Sequence, residues 1–245
     1  MTIYTWITTT SQLDVTGTYD DYDDVTRGTT SNGFIVENLS SINLTDNPDI
    51  VMPESTKEAG AVFTLPPGKH AAFVTSKSST VLEGLVEAYE VPTTTESSTF
   101  LGISTRGPIS SSKGLTPGIF INGSENKKVA IMAKGYTMNV TDGVTTYADD
   151  LKMTIYSWNT TKSDWDITGS YDDYGDVTQG TTSNGILVEN LSSINLTNNT
   201  DIIMPESTKE AGAVFTLPPG KHAAFVTSKS ATVLEGLVEA YEVNE

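Results

Sequence analysis

The sequence predicts an all-β protein built of antiparallel β-sandwich or jelly-roll domains and internally duplicated. Three observations carry this expectation: apolar residues recur at every second position, turn-forming residues punctuate the chain at short intervals, and one long stretch occurs twice.

The alternation is clearest in Val81 to Tyr89, where Leu82, Gly84, Val86 and Ala88 form one face and Glu83 and Glu87 the other. An apolar face opposite a polar one at period two is a half-buried strand, with the two glutamates expected in solvent. Ala61 to Leu65 and Ala71 to Thr75 alternate in the same way, and shorter β-type runs cover Ile3 to Trp6, Phe34 to Leu39, Ile42 to Thr45 and Ile50 to Met52. Between them, Ser31-Asn32-Gly33, Asp46-Asn47-Pro48-Asp49 and Pro66-Pro67-Gly68-Lys69 supply the fixed or positive φ that turns require. Farther on, Ile119 to Ile121, Val129 to Met132 and Tyr136 to Met138 read as strands separated by Asn122-Gly123 and followed by Asp142-Gly143. No segment carries a helical period beyond one turn. Short strands spaced by turn signals are the pattern of a sandwich or jelly roll.

At an offset of 152, Met1 to Val91 aligns with Met153 to Val243 without a gap; 15 of the 91 positions differ, so 91 − 15 = 76 are identical. Most differences keep the chemistry, as in Thr5 to Ser157, Val15 to Ile167 and Phe34 to Ile186, and the two copies are expected to share one backbone. Met52 to Ser78 is repeated residue for residue as Met204 to Ser230. A period this long is duplication of a domain, not a solenoid. The expected organisation is a first sandwich domain at 1–91, a polar, proline-led linker at 92–99, and a second domain at 100–245. The second domain joins a unique insert (100–152) to the second copy (153–243), because Leu151-Lys152-Met153-Thr154-Ile155 carries no turn signal at the junction.

Composition narrows the function. Over 245 residues, 14 Lys and Arg stand against 31 Asp and Glu, a formal charge of −17. A surface that negative repels phosphate, so neither nucleic acid nor an anionic membrane is an expected partner. Cysteine is absent, which excludes disulfides, thiolate metal sites and a cysteine nucleophile. Met1-Thr2-Ile3-Tyr4-Thr5-Trp6 has neither the basic start nor the long apolar stretch of a signal peptide or membrane span.

Candidate chemistry is sparse. Asp20, Asp21, Asp23 and Asp24 interleave with Tyr19 and Tyr22, and Asp172, Asp173 and Asp176 repeat the pattern, with Gly175 in place of Asp23. Clustered carboxylates offer the oxygen ligands that Ca²⁺ prefers, but the spacing matches no EF-hand loop and the copies do not keep one carboxylate set. A solvated acidic loop is expected, and no cofactor or structural metal. His70 and His222 share the context Pro-Pro-Gly-Lys-His, without partners at ligand spacing or a nucleophile beside them. Glu83, Glu87 and Glu90 with Glu235, Glu239 and Glu242 suit the polar half of an amphipathic strand better than a glycosidase pair. Nucleophile elbows, phosphate-binding loops and dinucleotide fingerprints are missing, so no enzymatic activity is expected. Asn38, Asn43, Asn122, Asn139, Asn159, Asn190, Asn195 and Asn198 stand in Asn-x-Ser/Thr sequences, which a chain rich in Ser and Thr produces by composition alone. Tyr4, Trp6, Tyr156 and Trp158 are the aromatic residues expected to anchor a docking face.

Each copy closes on Ala-Phe-Val-Thr-Ser-Lys-Ser followed by Thr-Val-Leu-Glu-Gly-Leu-Val-Glu-Ala-Tyr-Glu-Val. This pattern resembles the closing strands of β-sandwich domains in virion proteins of tailed bacteriophages, such as head decoration (cement) proteins and fibres. The resemblance implies a non-catalytic protein of the virion surface, with capsid or other virion proteins as partners and a homo-oligomeric, for example trimeric, assembly. A cell-surface module (S-layer, pilus or adhesin) and a carbohydrate-binding module are the alternatives, since both use acidic, Thr-rich, cysteine-free sandwiches.

Overall fold

The computed structural model describes residues 1–7, 12–78, 83–91 and 101–245 of the chain. The expected linker at 92–99 lies outside these residues, as do Val81 and Leu82. Two compact units, Met1–Thr99 and Phe100–Glu245, divide the chain. Its described residues form four sheets, in which the pairing between named strands is antiparallel throughout.

Unit 1 contains β1 (Thr2–Ile7), β2 (Gln12–Thr18), β3 (Gly28–Thr29), β4 (Ile35–Glu37), β5 (Val62–Thr64) and β6 (His70–Phe73). Two three-stranded sheets result, ordered β2-β1-β6 and β3-β4-β5. Gly33 takes a φ of 88° in the turn before β4, a conformation glycine adopts without strain. Just after β4 the chain is tied to the preceding loop by one side chain. Asn38 accepts from the Ser40 amide at 2.9 Å, capping a 3₁₀ turn at Leu39–Ser41, and its amide donates to the carbonyls of Tyr22 (2.6 Å) and Val25 (3.1 Å). Buried apolar side chains are few among its described residues: Ile3, Val25 and Val36.

Unit 2 begins with the insert, which supplies β7 (Gly102–Ile109), β8 (Gly118–Ile121), β9 (Lys127–Lys134) and α1 (Tyr136–Asp142). The second copy follows as β10 (Leu151–Asn159), β11 (Asp164–Tyr171), β12 (Gly180–Thr181), β13 (Leu187–Glu189), β14 (Ala211–Leu217), β15 (Gly220–Ser228) and β16 (Leu234–Glu242). A four-stranded sheet, β11-β10-β15-β8, packs on a six-stranded sheet, β12-β13-β14-β9-β16-β7. Insert strands are woven into both: β8 extends the edge of β15, β9 lies between β14 and β16, and β7 flanks β16. Met153, Ile155, Ala224 and Val226 from one sheet meet Ile131, Ala213, Phe215 and Val238 from the other in an apolar core. The outer face of the six-stranded sheet is covered too, by Leu191, Ile194 and Ile202 packed on Ala130, Met132 and Val214.

Several expectations need correction. Ile42 to Thr45 and Ile50 to Met52 form turns and irregular backbone instead of strands: the Asn43 side chain takes the Thr45 amide at 3.0 Å, and the amides of Ile42 and Ile50 close turns on the Leu39 and Asn47 carbonyls. Tyr136 to Met138 opens a seven-residue helix instead of a strand. Gly135 lies so close to Ala148 that a Cβ there would stand 1.7 Å from its carbonyl oxygen, and Gly143 ends the helix in the left-handed conformation at φ 69°. The segment 83–91 forms no strand in the first copy, whereas its equivalent is the nine-residue β16. Glu239, expected in solvent, is buried because the outer face of its sheet is covered. Local pieces are shared by the copies, including the 3₁₀ turns Tyr22–Asp24 and Tyr174–Asp176 and the edge-on pairs Tyr19–Phe63 and Tyr171–Phe215, each with centroids 5.2 Å apart. The strands at 62–64 and 70–73 and the burial around them differ most from their equivalents, β14 and β15.

Candidate functional site

The aromatic residues singled out in sequence fall on one sheet face in each unit. In β10, Leu151, Met153 and Ile155 point into the core, so the opposite parity places Tyr156 and Trp158 on the outer face of the four-stranded sheet. Cross-strand register sets Trp158 opposite Trp165 and Tyr156 between Ile167 and Ala223. Thr154 stands opposite Phe225. Trp158, Trp165, Ile167 and Phe225 are all exposed, and the two tryptophan rings meet edge to face at 5.5 Å and 75°. Unit 1 repeats the arrangement: Trp6 lies opposite Leu13, and Tyr4 lies between Val15 and Ala71, with Phe73 on the same strand as Ala71. Trp6, Leu13, Val15 and Phe73 are exposed there, and Tyr4 is half-buried. Leu13, Val15, Trp165, Ile167 and Phe225 were not singled out in sequence. Their parity on β2, β11 and β15 was available, but their alignment beside the tryptophans comes from strand register.

The histidines are structural. The Nε2–H of His222 donates to the Pro218 carbonyl at 2.9 Å, which leaves Nδ1 to accept from the Ser157 hydroxyl at 2.9 Å. Burial disfavours the charged ring and lowers the His222 pKa from its ordinary value, only partly countered by the Pro218 hydrogen bond. His70 repeats both contacts, to Pro66 at 2.9 Å and to Thr5 at 3.1 Å. Thr5 and Ser157 differ between the copies yet keep the hydroxyl that this bond uses.

In the second acidic loop, carboxylate oxygens of Asp150, Asp172 and Asp173 lie within 4.8 Å of one another, the one such grouping among the described residues. Asp150 comes from the insert and was not foreseen, and the grouping does not include Asp176, which sits in the 3₁₀ turn. Lys229 places its ammonium 2.7 Å from both Asp150 and Asp172, and these hydrogen bonds raise its pKa. The first loop is arranged alike, with Lys77 paired to Asp20 while Asp23 and Asp24 lie in a 3₁₀ turn and Asp21 precedes it. Each loop thus carries a lysine paired with at least one of its aspartates.

Two further polar centres lie inside unit 2, and neither was evident in sequence. Buried Glu210 accepts from the amides of Gly135 (2.6 Å) and Thr137 (3.0 Å) and from the Thr137 hydroxyl, fixing the start of α1. Lys134, also buried, pairs with Glu239 and donates to the Ile203 carbonyl, while the Tyr241 hydroxyl donates to Glu239 at 2.9 Å. A shallow groove of about 540 Å³ along β9, β13 and β16 is lined by Lys127, Lys128, Glu189 and Glu242. Both lysines are paired, as Lys127–Glu242 (2.6 Å) and Lys128–Glu189 (2.8 Å), and Glu125 and Glu245 on the same lining leave the groove net acidic.

No protein-family model matches the chain, and no curated protein does. Among solved structures, a protein from Sulfurospirillum deleyianum is similar at 9% identity over 58% of this chain and 98% of its own, with a TM-score of 0.28. That likeness is too distant to carry an argument about fold or function.

Proposed function

We propose that the protein is a non-catalytic structural component of a surface coat, acting by multivalent attachment as a virion decoration or fibre protein. The observation that supports this reading is the exposed aromatic and aliphatic sheet face, present in each unit and centred on Trp6 and on Trp158. Contiguous apolar surface of this kind marks an interaction site, and tryptophan and tyrosine dominate the energetics of such sites. Carrying the face twice on one chain raises the effective concentration of the second contact once the first has formed. A repetitive lattice of capsid proteins is the target that best rewards this design. The charge of −17 argues against nucleic acid and anionic membrane as the surface bound.

A cell-surface or carbohydrate-binding module is the alternative, and the tryptophan geometry disfavours its carbohydrate form. Rings at 75° to each other do not lie in one plane as a platform for sugar stacking. The test is sedimentation of the protein with purified particles, cell envelopes and insoluble polysaccharide. Co-sedimentation with particles that weakens on Trp6→Ala or Trp158→Ala and vanishes when both are made is the expected result. Retention on polysaccharide alone, or turnover of a glycan or ester in a substrate screen, would overturn it.

A further inference from the structure

We infer that unit 1 is an acceptor for strand addition: its open sheet edges take up a further segment of the kind formed by residues 101–152, held outside these 245 residues. The basis is a comparison that the protein makes within itself. Residues 52–78 and 204–230 are identical in sequence, yet they end in different structures. In unit 2, all of β14 from Ala211 to Leu217 pairs with β9, and Gly220 to Ala223 of β15 pairs with β8. In unit 1, the same residues form only the three-residue β5 and four-residue β6, each the last strand of its sheet among the described residues.

Side-chain burial follows the same division. Val226 is 0% exposed and Val74, its identical counterpart, 44%; Val238 is 1% exposed and Val86 56%. Leu217, Ala224 and Ala240 are buried in unit 2, whereas Leu65, Ala72 and Ala88 are exposed in unit 1. An exposed apolar edge of this kind is a template for strand pairing.

The polar chemistry that receives the insert is also retained. Glu210 caps the insert's Gly135 and Thr137, and its counterpart Glu58 is exposed. Glu239 neutralises the insert's buried Lys134, and its counterpart Glu87 is exposed while still accepting from Tyr89 at 2.8 Å, as Glu239 does from Tyr241. Unit 1 therefore keeps both the apolar edge and the two carboxylates that the insert engages in unit 2.

Stoichiometry chooses the occupant. These 245 residues hold one insert and two acceptors, and the insert's Ile109, Ile131 and Ala133 are already fully buried in unit 2. Exchange of inserts between two copies of this chain would vacate one acceptor for each one filled, so a second copy is not the occupant.

The test adds a synthetic peptide of residues 101–152 to the full-length chain and follows amide hydrogen exchange. The expected result is binding of one peptide per chain, with new protection at residues 59–65, 70–75 and 83–91 and no change in β14 or β16. A peptide carrying Lys134→Glu should bind about a hundredfold more weakly, and Glu87→Lys in the full-length chain should restore it. Fusing a second 101–152 segment ahead of Met1 covers a peptide that stays insoluble, and the same protection should appear there. Absence of protection in both arms overturns the inference, as does binding indifferent to the charge exchange. Concentration-dependent protection of these residues without added peptide would assign the edge to a second copy of the chain and overturn it equally.

Discussion

Lys134 and Glu239 form an ion pair across neighbouring strands β9 and β16, with side-chain exposures of 2% and 11%. The insert contributes the cation and the second copy the anion, so this contact ties together segments that are far apart in sequence. Removing one partner of a buried pair leaves the other charge uncompensated. Glu239→Leu should therefore cost about 3–5 kcal/mol in urea unfolding of unit 2. Glu87→Leu, the same change at an exposed position, should stay within about 0.5 kcal/mol. Equal effects in the two units would show that the pair is not what distinguishes them.

Gly135 offers a steric test of the turn into α1. A Cβ there would meet the Ala148 carbonyl oxygen at 1.7 Å, a backbone atom that cannot swing aside. Gly135→Ala should destabilise unit 2 by about 2–4 kcal/mol. Gly123→Ala instead meets a positive φ of 107°, and no atom lies within 4 Å of its added Cβ. Its cost should be about 1 kcal/mol, that of the backbone conformation alone, and denaturant titration of the two variants compares them directly.

Acid should weaken unit 2 through His222. Its pKa is lowered by burial, so between its ordinary value near about 6.5 and its lower folded value the unfolded chain binds more protons than the folded one. This contribution to stability is fully present above pH about 6.5 and is lost as pH falls through that window. His222→Gln should flatten the dependence of the unit 2 melting temperature on pH between about 7 and 5. A slope unchanged by the substitution would assign the acid sensitivity to other groups.

The acidic loops are predicted to need no metal, since Lys229 bridges Asp150 and Asp172 and Lys77 pairs with Asp20. Chelation with EDTA should leave melting within about 2 °C of the untreated protein, less than 1 kcal/mol for a chain of this size. A larger fall, restored by Ca²⁺, would show that the aspartates hold a structural ion.

From sequence alone came the β class and the parity of the sheet-face aromatics, because each rests on a few neighbouring residues, and the duplication, because it needs only the chain compared with itself. Period-two alternation placed Tyr4 with Trp6, and Tyr156 with Trp158, on common faces before any strand was paired. Tertiary structure decided what alternation leaves open: which strands become neighbours, and whether a face is covered. Glu87 and Glu239 sit in identical sequence, yet one is exposed and the other buried, because burial depends on β9 and on the loop packed over it. Trp165 came to lie beside Trp158 through register, and Asp150 joined Asp172 and Asp173 through the insert's path. The repeat shows most directly where local information ends. Twenty-seven identical residues, 52–78 and 204–230, form short edge strands in one unit and long interior strands in the other, since hydrogen bonding and burial in a sheet are properties of the neighbour as much as of the strand.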